Sequence, residues 1–139
     1  MFKQIVETNK RTSLIVAAFE EVTHMVERAE RMFDAACTAF MSDQERDVDI
    51  SAEDRAINEG ERMIRRLLTQ HLTINPKQDL PASLALFSIV HDVERIGDYA
   101  KSLSELCQWQ SDSEGSDAGC QLHEKIAPLF AQLLQALRD

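Results

Sequence analysis

Two short rows of side chains in this sequence have the types and spacing to hold a cation. His91, Glu94 and Asp98 stand at i, i+3 and i+7, and residues so spaced stack on one side of a helix. Upstream, Asp54, Asn58 and Glu61 repeat at i, i+4 and i+7. Carboxylates gathered in this way repel one another unless a cation neutralises them. Acids projecting from facing helices are also how helical bundles build metal sites. Oxygen-rich donors suit magnesium, manganese, calcium or iron better than a thiol-seeking metal. His91 is an optional ligand, since a histidine on a mixed face more often serves as an ordinary hydrogen-bonding group. The competing reading is a solvated acidic face with Arg62, Arg65, Arg66 and Arg95 as neighbours, and spacing alone favours it.

The elements that position these rows are helical. Leu86, Ile89, Val90, Val93, Ile96, Gly97, Ala100 and Leu103 recur every three or four residues and form an apolar stripe beside the second row. Glycine inside a helix costs roughly 1 kcal/mol against alanine, so Gly97 predicts a close approach to the backbone there. This helix is expected over about 79–109, with Asp79 as N-cap and Pro81 tolerated in the first turn. The helix before it, about 51–73, opens on Ser51-Ala-Glu-Asp54, which reads as a capping box. Its seam is Ile57, Gly60, Ile64, Leu67, Leu68 and His71, and Glu61 falls within it. An acid placed there snorkels, pairs or binds something, because an unpaired buried carboxylate is costly. The turn Ile74-Asn-Pro-Lys-Gln78 joins the two helices, which therefore run antiparallel and let the acidic rows face each other across a groove.

A first helix is expected over about 3–41, where Ile15 through Phe40 follow a seven-residue apolar repeat. A polar turn follows it. Ser111–Gly119, rich in Ser, Asp and Gly, reads as a flexible linker. A fourth amphipathic helix, about 117–138, carries Leu122, Ile126, Leu129, Phe130, Leu133, Leu134 and Leu137, with Pro128 inside its pattern. No strand pattern appears. The expected fold is all-α, an antiparallel bundle of three or four helices in one domain.

Bulk properties narrow the function. The 139 residues suit one domain, 44% are apolar, and Gly and Pro number only four and three. A formal charge of −9 argues against a nucleic-acid binder, which needs clustered Lys and Arg, and is compatible with cation binding. Cys37, Cys107 and Cys120 are widely spaced and read as reduced thiols of a cytoplasmic protein. No apolar run approaches 18 residues, so no direct membrane insertion is expected.

Taken together, Asp54-Arg-Ala-Ile-Asn58-Glu-Gly-Glu61, then Asp79-Leu-Pro81, then Asp92-Val-Glu94-Arg95-Ile96-Gly97-Asp98-Tyr-Ala100 resemble the repeat unit of the PhoU family. The Glu94–Asp98 piece is the most specific part, and the likeness covers residues 51 to 105. The resemblance implies a three-helix repeat whose acidic motifs hold iron or zinc; manganese and magnesium also fit the donors. Carried over by position, the metal residues are Glu94 with Asp98 and Asp54 with Asn58, where Asn58 departs from the family's acid. Glu61 is a reasonable extra ligand. PhoU proteins usually carry two repeats in tandem, whereas this sequence has one repeat and one further helix. It is thus either a single-repeat member completed as a homodimer or a module of a longer one. The implied function is control of phosphate transport through contact with a phosphate transporter, its ATPase or a sensor kinase. The alternatives are a cytosolic module of a sodium–phosphate cotransporter and a metal-dependent hydrolase using the same carboxylates to activate water.

Other signals are weaker. Glu21-Val-Thr-His24 is a lone Glu-x-x-His, off the seam, and reads as a surface pair. Met25, Met32 and Met63 fit the core, and Tyr99 and Trp109 read as packing residues. Nothing resembles a P-loop, a nucleophile elbow or a Cys/His pair, so no catalytic residue is expected.

Overall fold

The computed structural model describes residues 13–41, 47–107 and 113–139. These form four helices: α1 Ser13–Met41, α2 Ile50–Ile74, α3 Leu80–Cys107 and α4 Ser113–Arg138. No strand occurs among the described residues, in keeping with the all-α expectation. The part of the first expected helix before residue 13 lies outside the described residues, as does Trp109.

α1 is the central element. It packs against each of the other three helices, and α2 and α3 also pack against each other. Its apolar repeat explains this, since Ile15, Val22, Met25, Ala29, Met32 and Cys37 are all essentially buried. Neighbouring helices run antiparallel. Arg28 and Arg31 of α1 both donate to Glu53 Oε2 at the start of α2, at 3.0 and 3.2 Å. Farther along, a Cβ on Gly60 of α2 would lie 2.7 Å from Glu21 Oε1 and 2.9 Å from Met25 Cγ. α4 returns along α1, with Gly119 against Phe40 and Arg138 bonded to Glu27.

The structure corrects several local expectations. The N-cap of α2 is Asp49, not Ser51: the Asp49 carboxylate accepts from Ala52 N at 2.9 Å, so the helix starts at Ile50. Asp79 precedes α3 as expected and its carbonyl accepts the bond from Ser83 N at 2.8 Å. Its backbone is left-handed, with φ 54°, and its carboxylate lies 3.5 Å from Nε2 of the buried His71. Of the expected linker, residues 113–119 are helical, and Gly119 is a close-packing glycine: a Cβ there would stand 2.7 Å from Phe40 Cβ. Pro128 lies within a continuous α4. Met63 points to solvent, whereas Met25 and Met32 are core residues as expected. Tyr99 is exposed too, and its hydroxyl accepts a bond from Arg95 Nη2 at 2.7 Å.

Candidate functional site

The groove between α2 and α3 is set by one close contact. A Cβ on Gly97 would lie 2.9 Å from Ile57 Cδ1, so the glycine admits the fully buried isoleucine against the α3 backbone. That is the close approach the sequence predicted, and it fixes the register of the two acidic rows. Ile57 meets Gly97, Asp54 meets Lys101, and Glu61 comes level with His91.

Four of the six expected residues come together in the upper part of the groove. His91 Nδ1 lies 4.0 Å from Glu61 Oε1 and 4.0 Å from Glu94 Oε2. The Glu61 and Glu94 side chains keep only 18% and 16% of their exposure, while His91 keeps 56%. Glu94 titrates above its ordinary value. Partial burial is the main cause, the nearby charges of Asp98 and Glu61 add to it, and a carboxyl–carboxyl contact with Asp98 favours the protonated form. His91 works in the opposite direction. Glu61 is not free of cations: Oε1 accepts from Arg65 Nε and Nη2 at 3.0 and 2.8 Å, one turn along α2.

The other two residues are engaged differently. Asp54 is buried, and its Oδ2 accepts a 3.0 Å hydrogen bond from Lys101 Nζ. Lys101 is raised in turn by that hydrogen bond and by the Asp54 charge, with Asp98 contributing. Asn58 Nδ2 donates to the carbonyl of Asp54 at 3.0 Å, so its amide is used to brace α2. As the side chains lie, no three of His, Cys, Asp and Glu among the described residues share one metal position. The groove is thus an elongated acidic strip, open at the Glu61–Glu94–Asp98 end and closed by Lys101 at the Asp54 end.

Lys101 is the residue that sequence reasoning missed. It stands three positions beyond Asp98 on the same side of α3, so its signal was an i, i+3 extension of the row by a cation. The Glu21–His24 pair lies at the surface at 3.8 Å, as read from the sequence, although the Glu21 carboxylate also closes over Gly60.

A family model, described as PhoU domain, matches residues 22–107. This chain belongs to the PhoU family. The match takes in most of α1 and the whole of α2 and α3, and leaves α4 outside. Comparison with curated proteins and with solved structures returned no match. PhoU is a family of phosphate-transport regulators and not of enzymes. Nothing favours the cotransporter-module or hydrolase alternatives. No helix among the described residues is long and apolar enough to cross a membrane.

Proposed function

We propose that this PhoU protein regulates phosphate transport or phosphate signalling in the cytoplasm through protein contacts, and that it binds a metal ion in the α2–α3 groove. The observation that carries the metal reading is the state of Glu94. Its carboxyl group is half-buried beside Asp98 and Glu61 and titrates above its ordinary value. A cation placed there relieves the desolvation and the repulsion together. Glu94, Asp98 and Glu61 would supply oxygen donors and His91 a nitrogen, a set that fits iron, zinc, manganese or magnesium. Asp54 and Asn58 take a supporting part, because Lys101 already neutralises the Asp54 carboxylate.

The regulatory role needs no nucleophile or general base. The partner would be a phosphate transporter, its ATPase or a sensor kinase, and a homodimer would supply the second repeat of a tandem PhoU protein. The test is elemental analysis of the untagged protein beside Glu94→Gln/Asp98→Asn. The expected outcome is stoichiometric metal in the wild type alone, with the same helicity in both. Equal metal content in the two proteins would sink the assignment.

A further inference from the structure

α4 is attached to the rest of the molecule unlike any other helix. α1, α2 and α3 all pack on one another, whereas the main contacts of α4 are with α1 alone. The family match also ends at residue 107, before α4 begins. Among the described side chains of α4, Phe130 and Leu134 are the large apolar ones that are buried; Ile126, Leu133 and Leu137 pack partly buried on the core, while Leu129 keeps 53% of its exposure and Leu122 37%. Beneath α4 lies an apolar face of α1. Phe33 meets Phe130 at 5.6 Å between ring centroids and stacks on the imidazole of His123 at 6.0 Å. Phe40 receives Gly119, whose Cβ position is also 3.7 Å from the carbonyl of Cys37. Two polar latches flank this contact. His123 Nε2 is 2.9 Å from Asp34 Oδ1, and Arg138 Nη2 donates to Glu27 Oε1 at 2.7 Å. Each partner in both latches keeps about a third or more of its side-chain exposure, and polar contacts so placed hold weakly.

We propose that α4 is a liftable cover: it comes away from α1 while the α1–α3 unit stays folded, and in doing so uncovers Phe33, Cys37 and Phe40. Domains open locally in cooperative units, and a helix with one main neighbour, few buried side chains and exposed polar links is the first such unit to open. Cys37 is the built-in reporter. Its side chain has no exposure, and the thiol is pushed up to about 11, chiefly by burial and then by the charge of Asp34, with Cys107 and Cys120 contributing. Nucleophilic reactivity belongs to the thiolate, so the closed state silences Cys37 twice over and the open state restores it.

The experiment follows alkylation of Cys37 by iodoacetamide, read by mass spectrometry, in Cys107→Ser/Cys120→Ser protein. It is run with and without His123→Gln/Arg138→Ala, beside the urea midpoint of each protein. Loss of both latches is expected to speed Cys37 labelling about three- to tenfold and to leave the urea midpoint unmoved. Labelling that changes only in step with the midpoint would overturn the proposal, because Cys37 would then be reached only by global unfolding. Amide exchange of the wild-type chain gives a second reading that needs no cysteine variant. The amides of Phe130 and Leu134 are expected to exchange at least tenfold faster than those of Leu68 and Val90. Equal protection in the two sets would refute a separate α4 opening.

Discussion

The α2–α3 groove and the α1–α4 seam both join a pair of antiparallel helices, yet they use charge in opposite ways. In the groove, like charges are held together: Glu61 and Glu94 lie half-buried beside the exposed Asp98, and Glu94 titrates high, chiefly from its burial and then from those charges. Along the seam, complementary polar groups meet near the surface: the His123 imidazole with the Asp34 carboxylate, and Arg138 with Glu27. The backbones differ to match. The groove is clamped from below by Ile57 against Gly97, from one end by Lys101 on Asp54, and at the start of α2 by two arginines on Glu53. The seam has Phe33 against Phe130 and His123, the buried Leu134, Gly119 on Phe40, and its surface latches. A rigid frame can hold repulsion that a bound cation would relieve, while a loosely tied helix can hold only contacts that are already satisfied. The proposed binding site and the proposed moving part are thus built on opposite plans.

Truncating one apolar anchor on each side tests this contrast most strongly. Ile57 is 1% exposed and sits where α2 meets α3. Ile57→Ala is expected to lower the stability of the whole bundle by about 2–5 kcal/mol in urea denaturation. Phe130→Ala removes a side chain as well buried, and in an integrated helix it would cost about 3–5 kcal/mol. Here the loss is expected in α4 docking, seen as faster Cys37 alkylation, with much less change in the main transition. Equal shifts of one common transition would erase the distinction between groove and seam.

Smaller effects come from the glycines. Gly97→Ala places its methyl 2.9 Å from Cδ1, the far end of the buried Ile57 side chain, which must shift to admit it. The helix-propensity gain of about 1 kcal/mol should roughly offset the crowding. Gly97→Val asks for more space and is expected to cost about 1–3 kcal/mol. Gly119→Ala meets Phe40 Cβ, an atom tied to the backbone, so α4 must shift. The expected result is a looser cover with an unaltered groove, measured as Cys37 labelling against metal content.

Much of this was legible in the sequence. The apolar periodicities gave the helices, and Gly97 announced its close contact before its partner was known. The acidic rows could be placed on facing helices because the intervening turn is short. What could not be read depends on register between distant residues. Lys101 neutralises Asp54 from 47 positions away, and no local pattern shows that distance closing. Asp49 displaced Ser51 as the cap because both are good capping residues two positions apart, and only the path of the chain decides between them. Residues 113–119 have linker composition, yet they continue α4, with Gly119 fitting against Phe40. Met63 lies on the outer face of α2, a rotation that composition does not reveal.

The smallest expected effect is the most specific to the groove. The folded-state pKa of Glu94 lies above its ordinary value of 4.5, so as pH falls the folded protein takes up this proton before the unfolded chain does. Stability gained in this way appears as pH drops through the folded pKa toward 4.5, and the repulsion is fully present at neutral pH. Glu94→Gln should thus be more stable than the wild type near pH 7 by about 0.2–0.5 kcal/mol, the size of a like-charge helical pair. The difference should fade by about pH 4, where the wild-type carboxyl group is itself largely neutral. Added manganese reverses the order at neutral pH if the groove holds the ion, because it stabilises the folded wild type and has lost a ligand in the variant. Thermal denaturation at the two pH values, with and without manganese, reads both signs. Equal stabilisation of wild type and Glu94→Gln by the metal would place the ion elsewhere and leave the groove a strip of repelling acids.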